Sequence, residues 1–240
     1  MIDFNLKGQY GYEDLLALVA LLRSENGCPW DRVQTHQSIR RNFLEEAYEA
    51  CEGLDRDDPK LMQEEFGDVL LQVVFHADIE RQRGRFDMDD VCDAICKKLV
   101  YRHPHLFGGE ELDWEALKKK EKGAKTPSDL MDGVARSLPA LIRAEKLQEK
   151  AQQADSGWTS PQEAAAFAEE QLRLFREGND QALGKALFAL VGAGMQRELD
   201  TETLLQDTCE EFIRRFRQTE QDPPVQFSDL FVENPVQGKL

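Results

Sequence analysis

Apolar side chains recur every three to four positions along most of the chain, and strict apolar/polar alternation is nearly absent. That period predicts helices and an all-α fold. Leu15, Leu16, Leu18, Val19 and Leu22 give a core-facing first helix over Tyr12 to Arg23, which Asn26-Gly27-Cys28-Pro29 breaks. Thr35 or Ser38 caps a second helix that runs to about Leu54. Asp57-Asp58-Pro59 starts a third, reaching about Gly84, with Pro59 in its first turn. Asp87 caps a fourth that His103-Pro104-His105 stops near Arg102. From Phe66 to Ile79 the third helix is apolar on nearly every side, interrupted mainly by Asp68, Gln72, His76 and Asp78, so burial is expected there. Four helices joined by short turns predict a bundle over residues 1–107.

A polar connector, residues 108–136, follows Phe107-Gly108-Gly109. It is expected to carry a short helix from Asp113, a solvated charge run over Lys118 to Lys122, and linker at Lys125-Thr126-Pro127-Ser128. From Pro139 the helical pattern restarts, with helices to about Gln153, from Pro161 to Arg176, from Asp180 to Arg197 and from Thr201 to Thr219. The restart looks like a repeat. Trp158-Thr159 echoes Trp30-Asp31, Glu169-Glu170 echoes Glu45-Glu46, Ala182-Leu183-Gly184-Lys185 echoes Glu65-Phe66-Gly67-Asp68, and Phe212-Ile213-Arg214-Arg215 echoes Leu99-Val100-Tyr101-Arg102. The offset drifts from 128 to 113 residues, as small loop deletions produce. The second copy, residues 137–220, keeps the apolar pattern but not the acids: Glu49, Glu65 and Asp68 become Arg173, Ala182 and Lys185. An irregular tail is expected over residues 221–240.

Charge narrows the partners. A formal net charge of -16 opposes nucleic acid and anionic membranes, which call for basic surfaces. No run of 18 apolar residues occurs, and Met1 to Gly11 lacks the features of a signal peptide, so a cytoplasmic location is expected. Five cysteines, Cys28, Cys51, Cys92, Cys96 and Cys209, have no Cys-x-x-Cys spacing and are read as reduced core thiols.

Candidate chemistry lies in the acids of the second and third helices. Glu46 and Glu49 share a helix face, as do Glu65 and Asp68. A lone Glu-x-x-Glu is most often a solvated stripe. Two pairs on neighbouring apolar helices form a cation site instead, because a carboxylate in such surroundings costs several kcal/mol unless it is compensated. An all-oxygen ligand set suits a hard ion, and Mg²⁺ typically sits between a few carboxylates and substrate phosphates. His36, His76, His103 and His105 do not extend this set. No Glu-x-x-His is present, His76 reads as a core residue, and His103 and His105 read as helix-end residues.

Glu45-Glu46-Ala47-Tyr48-Glu49, followed after fifteen residues by Glu65-Phe66-Gly67-Asp68, resembles the Glu-Glu-x-x-Glu and Glu-x-x-Asp motif of the all-α nucleoside triphosphate pyrophosphohydrolases. Within that superfamily the chain looks like MazG. Gly27-Cys28-Pro29-Trp30-Asp31, Gly84-Arg85-Phe86-Asp87, Arg102-His103-Pro104-His105-Leu106-Phe107 and the Ser137 to Leu141 join add to the likeness, which extends to about Glu220. The resemblance implies two tandem MazG-like four-helix bundles, the second degenerate. It implies Mg²⁺-dependent hydrolysis of a nucleoside triphosphate between the α and β phosphates in the first bundle, with Mn²⁺ as a substitute ion. By motif, Glu46, Glu49, Glu65 and Asp68 are the metal ligands, and Glu45 is the candidate to orient or deprotonate the attacking water.

Lys98 and Arg102 share a helix face, and a Lys and an Arg at this spacing contact the triphosphate in the family; pairing with surface acids is the alternative. Trp30 either borders the base pocket or anchors its turn, packing being the commoner role. The resemblance also implies a homodimer, canonical or damaged nucleotides as substrates, and no nucleic-acid or membrane partner. A non-catalytic nucleotide or Mg²⁺ binding protein, signalling through its second copy, is the leading alternative from another class.

Overall fold

The computed structural model describes residues 4–108 and 126–219. Every regular element among them is a helix, and none is long and apolar enough to cross a membrane. The chain divides into two compact units, Met1–Leu112 and Asp113–Leu240.

The first unit contains α1 (Tyr12–Leu22), α2 (Pro29–Arg32), α3 (His36–Asp55), α4 (Pro59–Gln82), α5 (Met88–Arg102) and a 3₁₀ turn at Pro104–Leu106. Polar side chains close the helix starts by accepting from otherwise unpaired N–H groups. Thr35 and Ser38 act together: the Ser38 amide donates to Thr35 Oγ1 at 3.2 Å, and the Thr35 amide donates to Ser38 Oγ at 2.9 Å. Asp58 Oδ1 accepts from the Lys60 and Leu61 amides at 3.0 and 3.2 Å, and Asp87 accepts from the Asp90 amide at 3.1 Å. Gly27 makes the turn out of α1 possible, since a Cβ there would lie 2.3 Å from the Leu21 and Leu22 carbonyl oxygens.

Val19, Ile39, Val74, Phe75 and Ile79 form the core, with Leu15, Leu16, Leu71 and Met88 packed against them. Helix α4 is thereby central, because α1, α3 and α5 all pack on it. Its burial does not run from Phe66 to Ile79 as the apolar pattern predicts. Fully buried residues start only at Val74, while Phe66 and Leu70 are 48% and 37% exposed. The physical reason is coverage: the core cluster takes in Val74, Phe75 and Ile79, with Leu71 at its edge, and Phe66 and Leu70, nearer the start of α4, stay open. His76 is accordingly half-buried, not a core residue.

Burial in α4 instead includes two acids, Asp78 and Glu80, and each is compensated. Arg23, itself buried, donates from Nε to Asp78 Oδ2 at 2.9 Å. Arg81 donates to Asp78 Oδ1 from Nε at 2.9 Å and from Nη2 at 2.7 Å. Glu80 pairs with Arg83, Arg85 and His36.

The second unit contains α6 (Pro127–Asp132), α7 (Ala140–Gln152), α8 (Pro161–Arg176), α9 (Asp180–Met195) and α10 (Thr201–Thr219). Helix α9 packs along α8 and also meets α7, around Ala168, Ala186 and Ala189 with Trp158 and Leu172 against them. Alanines at such contacts allow close helix approach. Within the stretch read as linker, Thr126 instead caps α6 and Pro127 and Ser128 begin it: Thr126 Oγ1 accepts from the Asp129 amide at 3.2 Å and the Thr126 amide donates to Asp129 Oδ2 at 2.7 Å. The helix expected from Asp113 and the tail over residues 221–240 lie outside the described residues. All five cysteines are free thiols, but none is a core residue: Cys28 and Cys92 are half-buried, while Cys51, Cys96 and Cys209 are exposed on helix faces the core does not use.

Candidate metal centre

Helices α3 and α4 pack side by side, so acids one turn apart on each come to a shared space. Glu46 and Glu49 from α3 and Glu65 from α4 each place a carboxylate oxygen within 4.8 Å of the others. Glu46 and Glu65 are half-buried and Glu49 is exposed. Desolvation raises the Glu46 carboxyl above its ordinary value, followed by the charges of Asp68, Glu49 and Glu65. Glu65 is raised as well, by desolvation and then by Glu49, Asp68, Glu64 and Glu52. Like charges held this close disfavour their own ionisation unless a cation joins them. Three oxygen donors with no nitrogen or sulfur among them fit a hard divalent ion.

Asp68, one turn after Glu65, is near enough for its charge to act on Glu46 and Glu65, although it places no oxygen inside the trio. Glu45 sits beside Glu46 in sequence but outside the cluster, where its Oε1 accepts from Arg41 Nε at 2.7 Å. Lys98 is exposed and Arg102 half-buried on α5. Neither is among the main charges acting on Glu46 or Glu65, all of which are acidic. Trp30 is 58% exposed, so its ring is not the packing anchor that the commoner role suggests. The turn is held by its backbone instead: the Trp30 carbonyl accepts from Gln34 Nε2 at 2.9 Å, and the Asp31 carbonyl accepts from Arg23 Nη1 at 2.6 Å.

Sequence reasoning missed a second polar cluster on the same helix pair. His36 Nδ1 and His76 Nδ1 lie 2.7 Å apart with the rings stacked, and His36 Nε2 bonds Glu80 Oε1. The carboxylate only accepts, so His36 Nε2 donates. One of the facing Nδ1 atoms must then donate and the other accept. Burial, and then the neighbouring His36, lowers the His76 pKa. The acids of Asp78-Ile79-Glu80 beside Arg81, Arg83 and Arg85 were the available signal, since buried acids need cations.

The MazG nucleotide pyrophosphohydrolase domain matches residues 34–107, the segment that carries the acid trio. A nucleoside triphosphate pyrophosphohydrolase/pyrophosphatase MazG of Thermotoga maritima is 38% identical over 219 residues, covering 88% of this chain and 86% of the relative. A nucleoside triphosphate pyrophosphohydrolase of Escherichia coli K12 is 36% identical over 230 residues, covering 86% of each. A Bacillus subtilis protein, YabN, is 37% identical over 91% of this chain, which spans 48% of that longer relative. With two relatives matched over most of their length and the domain placed on the acid-bearing helices, the chain belongs to the MazG family of nucleotide pyrophosphohydrolases.

Proposed function

We propose that this chain hydrolyses nucleoside triphosphates, ribo or deoxy, between the α and β phosphates, releasing a monophosphate and pyrophosphate. The observation that carries the reading is the convergence of Glu46, Glu49 and Glu65 on one cation-sized space between α3 and α4. These three, with Asp68 beside them, would hold Mg²⁺, and Mn²⁺ would suit the same oxygen donors; an ion bound there would supply charge neutralisation for the triphosphate.

The chain's own residues supply the rest. Glu45 orients or deprotonates the attacking water, and for this it turns away from Arg41, which holds it in the resting structure. Lys98 and Arg102, four apart on α5, draw the triphosphate chain. The exposed indole of Trp30 offers a face to the base. Residues 1–107 form the working domain. Residues 137–220 form a degenerate repeat of it, in which Lys185 replaces Asp68 and removes the metal, and residues 108–136 connect the two. The open apolar face of Leu44, Tyr48, Phe66 and Leu70 supports a homodimer that covers it. A cytoplasmic nucleotide pool fits this reading.

The test is pyrophosphate release from a panel of nucleoside triphosphates with Mg²⁺. Release by the parent and by Lys185→Ala, abolished in Glu49→Gln, supports catalysis in the first unit. Binding without release by the parent would instead leave a nucleotide sensor.

A further inference from the structure

The second unit contains an aromatic groove that the acid chemistry does not use. Trp158, Phe167, Gln181, Gly184, Lys185 and Phe188 line a cavity of about 550 Å³, within the roughly 300–1,000 Å³ typical of small-ligand sites. Its platform is built rather than incidental. The Trp158 indole donates from Nε1 to Gln148 Oε1 at 2.6 Å. Gln148 is itself 5% exposed and donates from Nε2 to the Phe188 carbonyl at 2.8 Å. This clasp needs Gly192, because a Cβ there would lie 2.2 Å from Gln148 Oε1 and 2.3 Å from Trp158 Nε1. Phe167 packs tilted against Trp158, with ring centroids 5.3 Å apart. The indole is therefore fixed before any ligand arrives, which cuts the ordering cost of binding.

Helix α9 adds the polar contacts. Gln181, Lys185 and Phe188 fall at positions i, i+4 and i+7, on one stripe. Lys185 makes no ion pair with an acidic side chain among the described residues, an unusual position for a cation on a chain of net charge -16. At Gly184 the helix surface is bare, and a Cβ would meet nothing within 4 Å. Of the exposed apolar residues of α9, Phe188 lies on this stripe, whereas Leu183, Leu187 and Leu190 lie on a different one.

An aromatic shelf with one unpaired ammonium and one amide fits a flat heteroaromatic ring bearing a single anionic group. We propose that the second unit binds a nucleoside monophosphate without metal, the base on Trp158 and Phe188 and the phosphate at Lys185. The choice of a nucleotide rests on the function proposed above, whose product is such a monophosphate. The site itself rests on the groove.

The experiment is calorimetric titration of the full chain with AMP, GMP, CMP and UMP in EDTA, so that the metal-dependent site is silent. The expected result is one site per chain for at least one nucleotide, retained in Glu49→Gln. Lys185→Glu weakens it by about tenfold or more, and Gly184→Leu, which fills the groove, removes it while circular dichroism shows unchanged helix content. Absence of binding for all four nucleotides overturns the proposal. So does binding that is lost in Glu49→Gln, that ignores either groove substitution, or that ribose 5-phosphate matches in affinity. If metal-free binding behaves as expected but no triphosphate is hydrolysed with Mg²⁺, the hydrolase reading falls and this one stands.

Discussion

Replacing Arg23 by Met tests whether the scaffold under the acid site is held by a buried ion pair. Arg23 and Asp78 are 3% and 6% exposed at their side chains. The guanidinium, at the end of α1, bonds to both α2 and α4: Asp78 at 2.9 Å, the Asp31 carbonyl at 2.6 Å and Gln82 Oε1 at 3.3 Å. Its Cζ also stands 4.6 Å over the Phe75 ring. Methionine refills much of the stem volume but brings no donor. Breaking a buried pair costs about 3–5 kcal/mol. The lower end applies here, because Arg81 and Gln82 still donate to Asp78. A loss of about 3 kcal/mol is large beside a total of roughly 5–15, and it lowers Tm by about 6–12 °C. Arg81→Met removes a partner of the same carboxylate whose side chain is 51% exposed, and should cost no more than about 1 kcal/mol. Urea unfolding followed by circular dichroism measures both. Adding Asp78→Leu to Arg23→Met should recover part of the loss, because the stranded charge is removed. Equal losses in the two arginine variants, or no recovery in the double variant, would refute the reasoning.

Other expectations follow from the charges and the packing. Desolvation first, and then the neighbouring acids, raise the Glu46 and Glu65 carboxyls from their ordinary value, so their contribution to stability is present at low pH and is lost as pH rises through the raised values. Mg²⁺ should move both titrations down in carboxyl NMR, and titrations indifferent to Mg²⁺ would contradict a shared site. Glu80 is pulled down to about 2, chiefly by its bond to His36 and then by Arg85. Its contribution is therefore present above the unfolded value of 4.5 and lost as pH falls from there towards about 2. Glu80→Gln should flatten the acid limb of a stability-versus-pH curve in that window. Gly192→Ala, which drives a methyl into the Trp158–Gln148 clasp, should destabilise by about 1–3 kcal/mol, whereas Gly184→Ala, mid-helix and facing open space, should stabilise by roughly 0.5–1 kcal/mol; equal effects in thermal unfolding would deny the clasp. Placing Asp at both Phe66 and Leu70 should lower the association state in analytical ultracentrifugation, and an unchanged state would remove that face from any dimer.

Sequence pattern and tertiary structure divided the information along physical lines. Helix starts were legible because a cap is a local interaction: Thr35 with Ser38, Asp58 before Pro59, and Asp87 each bond amides two or three residues away. The acid pairs were legible too, because residues three apart share a helix face wherever the helix lies. Burial was not, since it depends on which element covers which face. Helix α4 reads as apolar on nearly every side from Phe66 to Ile79, yet Phe66 is open while Asp78 and Glu80 are buried, because the core it joins centres on Val74, Phe75 and Ile79. Trp30 read most readily as an anchor and is exposed. His36 and His76, 40 residues apart, gave no periodic signal of their pairing, and neither did Gln148 clasping Trp158 against Gly192. The sequence by itself determined an all-helical chain, its caps and the acids that face a common side of each helix. Only the tertiary structure decided that Glu46, Glu49 and Glu65 converge and that the second unit holds an aromatic groove, because each depends on how two or more helices are docked.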